Sequence, residues 1–254
     1  VTFATYPSLV GRVVFVTGGA TGIGADIVAA FVNNRARVAF FDRQRDAGEA
    51  LAGALAGQGE APLFIQGDVT DIDALQGAIA RTRDELGPIG VLVNNAANDS
   101  RREVADVDVA FWDESQAVNL RHHFFAAQAV QPQMRSLGGG SIVNLSSIAW
   151  RSGAAEMAVY ATAKSAVVGL TRSLARAFGP DNIRVNAIEP GAVMTDRQRA
   201  LWYKTQESVD VMVARQILRR TLRGDEIARA ALFLAADDSR MITKQTITVD
   251  AGLR

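Results

Sequence analysis

Short hydrophobic runs alternate along the chain with longer stretches whose apolar positions recur at helical spacing. Strands are predicted over 11–17, 37–42, 63–68, 90–94, 141–146, 183–188 and 246–250. Helices are predicted between them over 22–34, 47–56, 72–86, 107–137, 157–178 and 225–236. In the first helix Ile23, Ile27, Ala30 and Phe31 share one face. Gly87-Pro88, the triplet Gly138-Gly139-Gly140, and Gly179-Pro180 supply the stops. Strands alternating with helices of this length predict βαβ units, hence an α/β protein with a doubly wound, seven-stranded parallel sheet and helices on both faces. No repeat, low-complexity stretch or linker interrupts the pattern, so 1–254 reads as a single domain. Residues 192–223 fit the alternation worst. With Trp202, Tyr203 and many charges they read as a mobile, partly helical flap over the ligand site.

Composition narrows the function. Lys+Arg and Asp+Glu are both 27, so the net charge is zero and there is no basic run to attract nucleic acid or an anionic membrane. Cysteine is absent, which excludes disulfides, thiol catalysis and Cys-ligated zinc. The only two histidines, His122 and His123, are neighbours. On a helix they point about 100° apart and cannot easily share an ion, so no metal is expected. No apolar segment is long enough to span a bilayer and no signal-peptide pattern opens the chain, which reads as cytoplasmic.

The first predicted strand runs into Thr17-Gly18-Gly19-Ala20-Thr21-Gly22-Ile23-Gly24, which opens a helix. Such a turn lets the backbone approach a pyrophosphate at a helix N-terminus, although a glycine cluster alone can be a plain turn. Asp42, at the end of the second strand, lies where a carboxylate accepts hydrogen bonds from the adenosine ribose hydroxyls and repels a 2′-phosphate. The bland alternative is a strand-end Asp beginning a turn. Arg43 follows and could hold a phosphate, but Asp42 precedes it and the glycine turn carries no basic residue, so NAD is expected over NADP. This combination makes the predicted fold Rossmann-type.

Tyr160 and Lys164 are spaced i, i+4, which puts phenol and ammonium on one helix face. A phenol with a pKa of about 10 is a poor base at neutral pH, and a nearby cation together with an oxidised nicotinamide can lower it. A purely structural pair is the competing reading. Ser147, just past the fifth strand and 13 residues before Tyr160, can orient a substrate oxygen, while its neighbour Ser146 faces away.

Together these residues resemble the short-chain dehydrogenase/reductase family over nearly the whole chain. The resemblance rests on the glycine turn, Asp68-Val69, Asn94-Asn95-Ala96, Asn119, Ser147, Tyr160 with Lys164, and Pro190-Gly191 with Thr195. It implies that Tyr160 is the base, that Ser147 stabilises the substrate oxygen, that Lys164 binds the nicotinamide ribose and tunes Tyr160, and that Asn119 anchors a proton-relay water. It further implies a cofactor path along Gly18, Thr21, Gly22, Ile23 and Gly24, Asp68 and Val69 at the adenine, Asn95, Ala96 and Ala97 along its length, and Pro190, Gly191, Val193 and Thr195 around the nicotinamide. A homotetramer built on 107–137 and 157–178 is implied as well. Three positions depart from the family pattern: Ala97 stands where Gly is usual, Asp250-Ala251-Gly252 replaces Asp-Gly-Gly, and Glu189 replaces an uncharged residue.

Asn98, Asp99, Trp150, Arg197, Gln198, Trp202 and Tyr203 give the cleft polar and aromatic chemistry suited to a compact polyhydroxy ligand. Packing at a subunit contact would equally explain Trp150 and Trp202. Glu189 either binds substrate hydroxyls or pairs with a flap arginine. A closer resemblance, carried by Tyr6-Pro-Ser-Leu9, Asn94–Asp99, Ser147-Ile-Ala-Trp150, Arg197-Gln198 and the 250–254 end with Arg254, is to bacterial NAD-dependent aldose (D-xylose-type) 1-dehydrogenases. It implies oxidation of the anomeric hydroxyl of a cyclic aldose to the lactone, with Asn98, Ser147, Trp150, Tyr160, Glu189, Arg197 and Trp202 as substrate-binding residues. A sugar-acid, polyol or 3-oxoacyl dehydrogenase, or a non-catalytic dinucleotide sensor, are the other readings.

Overall fold

The computed structural model describes residues 3–253; Arg254, one of the positions carrying the closer resemblance, lies outside them. In chain order the main elements are β1 (Val13–Thr17), α1 (Gly22–Asn33), β2 (Arg37–Asp42), α2 (Arg45–Leu55), β3 (Leu63–Gln66), α3 (Ile72–Leu86), β4 (Ile89–Asn94), α4 (Val109–Gln116) and α5 (His122–Ser136). They continue with β5 (Gly140–Leu145), α6 (Ala149–Ser152), α7 (Ala158–Phe178), β6 (Ile183–Pro190), α8 (Asp196–Leu201), α9 (Gln206–Ala214), α10 (Gly224–Ala235) and β7 (Thr246–Val249).

The seven strands form one sheet in the order β3-β2-β1-β4-β5-β6-β7, and every neighbouring pair is parallel. The chain winds outward from β1 to β3, then returns to place β4 on the other side of β1. That reversal opens a crevice at the carboxyl ends of β1 and β4, the usual ligand position in such sheets. Both faces are covered, which is why β1 is buried at every position. Val14, Val16 and Phe40 face one hydrophobic layer with Ile27, Phe31, Ile227 and Leu232; Phe15, Phe41 and Leu92 face the other with Leu75, Ile79, Val130 and Leu174.

Local signals behave as physics requires. Asp71 caps α3 by accepting from Ala74 N (2.9 Å), and Gly87, at φ +98°, ends it before Pro88. At the amino-terminal rim of the sheet arginines meet the carbonyls of helix ends: Arg12 and Arg184 donate to Ala235 O at the end of α10, and Arg37 donates to Leu86 O at the end of α3.

Two expectations change. The predicted helix over 107–137 is α4 and α5 joined by a five-residue π turn, Ala117–Arg121, with Pro132 accommodated inside α5. The sixth strand runs on through Glu189 and Pro190, which pair with Thr248 and Val249 of β7. Segment 192–223 carries α8 and α9, and its two ends are joined where Met194 N donates to Leu222 O (2.9 Å). Among the described residues no helix is long and apolar enough to cross a membrane.

Candidate active site

The sequence-predicted site residues converge at the carboxyl ends of the strands. The turn after β1 is built for close backbone approach. Gly18 has φ +66°, and a Cβ there would lie 2.6 Å from Ala96 Cα, so only glycine lets the turns after β1 and β4 touch. A Cβ on Gly24 would lie 1.9 Å from Gly18 O, and one on Gly22 would press on Thr195 Cγ2 at 3.3 Å. Asn95 ties the two turns: its Nδ2 donates to Thr17 O (3.1 Å) and Gly18 O (2.7 Å), so its side chain shapes the cradle. Gly191 packs against Asp250, whose Cα would sit 2.7 Å from an added Cβ.

Asp42 is buried, and each of its oxygens takes one main-chain N–H: Oδ2 from Ala20 and Oδ1 from Gln44, both at 3.0 Å. Its carboxylate is thereby aimed at the glycine turn with acceptor capacity to spare. Arg43 is exposed. Asp68 closes its own turn by accepting from Thr70 N and Thr70 Oγ1 (2.8 Å each), and Val69 is buried beside it. A narrow backbone cradle, a strand-end carboxylate and a helix N-terminus together fit a dinucleotide.

Ser147 lies between β5 and α6; its hydroxyl accepts from Ala149 N (3.1 Å) and favours the ionised form of the Tyr160 phenol. Tyr160 is in the first turn of α7, and Lys164 follows one turn on with Nζ 5.8 Å from the Tyr160 ring centroid. Lys164 is buried, and Nζ donates to Leu145 O (2.8 Å) at the end of β5. Ser146 turns away to donate to Lys164 O (2.7 Å), as expected. Burial lowers the Lys164 ammonium to about 7. Burial and the Asp99 carboxylate push the Tyr160 phenol above its ordinary value, while Ser147 pulls it down. The expected lowering of the phenol by Lys164 is therefore not what this protein alone provides.

Asn119 occupies the π turn and is fully buried. Its side chain grips the backbone of Asn98 at both ends: Oδ1 accepts from Asn98 N (2.9 Å) and Nδ2 donates to Asn98 O (3.0 Å). Nδ2 also donates to Ser115 O (3.0 Å). The Asn119 side chain thereby positions the Asn98 backbone.

The proposed substrate residues divide into two groups. Asn98 and Asp99 face α8: Arg197 Nη2 donates to Asn98 Oδ1 (2.9 Å), and Asp99 accepts from Gln198 Nε2 (2.7 Å) and Trp202 Nε1 (3.2 Å). Trp150 and Glu189 form a separate wall. Glu189 is fully buried and accepts from Trp150 Nε1 (2.8 Å), Arg151 Nε (3.0 Å) and Thr248 Oγ1 (3.0 Å). Its arginine is Arg151, on α6, not one from the flap, and its oxygens serve this cluster instead of a ligand's hydroxyls. Arg151 also lies 4.2 Å over the Trp150 ring. The sequence reading missed Arg151 and Arg101, because chain spacing carries no signal for contacts such as Arg151 with Glu189 and Arg101 with Trp202, which are made only once the chain is folded.

Beneath the site His122 and His123 are both fully buried, with ring centroids 4.3 Å apart. Thr17 Oγ1 accepts from Asn95 N (3.0 Å) and Ala96 N (3.2 Å) and lies 3.5 Å from His122 Nε2. Burial and Lys164 lower His122 to about 3, so it is neutral. Among the described residues no group of three metal-ligating side chains is present.

Comparison with known proteins agrees with this architecture. Residues 18–254 match the family model described as Enoyl-(Acyl carrier protein) reductase. The chain is 49% identical over 249 residues to the "Probable galactose dehydrogenase GalD" of Rhizobium meliloti, covering 98% of this chain and 97% of that one. It is 43% identical over 251 residues to the D-xylose 1-dehydrogenase of Caulobacter vibrioides, covering 99% of each. A candidate short-chain alcohol dehydrogenase from Sinorhizobium meliloti 1021, known as a crystal structure, superposes with a TM-score of 0.92 at 34% identity over 97% of both chains. With a parallel sheet reversing at β1, a glycine cradle beside it and relatives of this kind, the chain belongs to the short-chain dehydrogenase/reductase family and is an oxidoreductase that uses a nicotinamide cofactor and a small-molecule substrate.

Proposed function

We propose that this protein oxidises the anomeric hydroxyl of a cyclic aldose, of the D-xylose, L-arabinose, D-galactose or L-fucose type, to the lactone, with NAD as acceptor. The observation that carries the reading is the meeting of Ser147, Tyr160 and Lys164 with the polar set Asn98, Asp99, Arg197 and Gln198 at one end of the sheet. The relatives named for galactose and D-xylose support the sugar.

Residues of the chain divide the work. Gly18, Gly22 and Gly24 would hold the pyrophosphate, Asp42 the adenosine ribose, Lys164 the nicotinamide ribose, and Pro190, Gly191, Val193 and Thr195 the nicotinamide. When bound, the cofactor supplies a hydride acceptor and a positive charge beside the phenol. Tyr160 Oη takes the proton of the substrate C1 hydroxyl, and Ser147 Oγ holds that oxygen. Trp202 gives the sugar an aromatic face, and Asn98, Arg197 and Gln198 supply polar partners for its hydroxyls. Trp150 and Glu189 stiffen the far wall. The preference for NAD rests on Asp42, held as an acceptor by Ala20 N and Gln44 N, against exposed Arg43.

A panel of aldoses assayed with NAD and NADP in parallel, by reduced-cofactor fluorescence, tests this. Turnover of at least one of the four sugars with NAD well ahead of NADP is expected. Silence toward all four removes the sugar reading, and equal use of both cofactors removes the NAD preference.

A further inference from the structure

We propose that Asp99 and Arg101 form a clasp that docks the α8 end of segment 192–223 onto the turn after β4 and so positions Trp202 and Gln198 on the substrate side of Tyr160. The proposal takes its substrate from the reading above.

The contacts form an unbroken chain across three segments. Asp99 gathers donors from α8 and its end: Gln198 Nε2 at 2.7 Å and Trp202 Nε1 at 3.2 Å on Oδ2, and Arg197 Nε at 3.3 Å on Oδ1. Trp202 is thus held by its edge. Its face is held as well, because the Arg101 guanidinium lies 3.8 Å above the ring. The same Arg101 reaches to the segment leading into α7, where Nη1 donates to Glu156 Oε1 (3.1 Å). Arg102 N adds a main-chain bond to Glu156 O (2.9 Å). Glu156 lies four residues before Tyr160, so the turn after β4 bridges α8 and the start of the helix that carries the phenol. Asn119 fixes the base of the clasp through Asn98. Asp99 also acts on the phenol, raising Tyr160 above its ordinary value.

An indole held at edge and face by two side chains of one short turn has little freedom, and removing the edge acceptor leaves Trp202, Gln198 and Arg197 without their common partner. Asp99 is therefore a positioning residue whose loss loosens the flap and weakens substrate binding ahead of cofactor binding.

Limited trypsin digestion followed by mass spectrometry reads the flap directly, since Arg197, Arg199 and Lys204 all lie in it. Asp99→Ala is expected to speed cleavage there roughly fivefold. The same change is expected to raise the substrate KM roughly tenfold, with kcat and NAD affinity moving far less. Trp202→Phe, which keeps an aromatic ring for Arg101 while losing the N–H donor and the fused five-membered ring, is expected to speed cleavage in the same direction by less. It decides the matter should Asp99→Ala fail to fold. Wild-type cleavage rates overturn the clasp, and faster cleavage with unchanged KM overturns its part in substrate positioning. Digestion and NAD binding need no sugar, so they test the clasp even if the aldose panel is silent.

Discussion

The Tyr160 phenol is pushed upward by burial and by Asp99, with only the Ser147 hydroxyl working the other way, and the Lys164 ammonium is itself lowered to about 7. A base held above its ordinary value is mostly protonated at neutral pH and gains its working form as pH rises. The rate kcat/KM is expected to climb about tenfold per pH unit on the acid side of the profile. Tyr160→Phe is expected to lose a hundredfold to about ten-thousandfold in turnover while NAD still binds in a fluorescence titration. A flat profile, or turnover within tenfold of wild type, would remove Tyr160 as base. At this scale the sequence was legible where partners lie on one helix: Tyr160 and Lys164 announce themselves by spacing alone. Glu189 was legible as an oddity but its partner was not, because Arg151 stands 38 residues earlier and reaches it only across the sheet.

Elements repeat that contrast. Helix α3 was readable from Asp71 to Gly87, since cap and stop are chemical signals. The π turn at Asn119 was not, because one inserted residue leaves the apolar period of 107–137 almost unchanged while shifting which carbonyls are free. The sixth strand, predicted to end at 188, runs to Pro190: a proline lacks only the donor, and its carbonyl still accepts from Ile148 N (3.1 Å). The turn after β1 makes the sharpest prediction at this scale. Gly18→Ala puts a methyl 2.6 Å from Ala96 Cα at a backbone conformation that disfavours side chains. Separating the two turns should weaken NAD roughly tenfold or more and lower Tm, measured by titration and thermal melting. Unchanged affinity would show that the contact of these turns does not shape the cradle.

For the molecule as a whole, the seven-stranded parallel sheet with helices on both faces followed from the alternation of elements, while the buried polar layer beneath the site did not. His122 is neutral because burial lowers it to about 3, and His123 is lowered too. The unfolded chain takes up these protons below about 6.5 and the folded one does not, so stability is lost as pH falls from 6.5 toward 3. His122 removes up to about 1.4 kcal/mol per pH unit over that window, and His123, also lowered by burial, acts in the same direction. Urea unfolding at pH 7 and 5 should show the midpoint drop, and His122→Asn should flatten the dependence; an identical slope in that variant would assign the acid sensitivity elsewhere. The two rims of the sheet also have separate duties. The candidate catalytic and ligand residues stand on strand ends, helices and connections toward the carboxyl rim, whereas Arg12, Arg37 and Arg184 steady helix ends at the amino rim. Diversification of chemistry and reinforcement of the scaffold can therefore proceed at opposite poles, so that a new specificity can be grafted onto one without renegotiating the other.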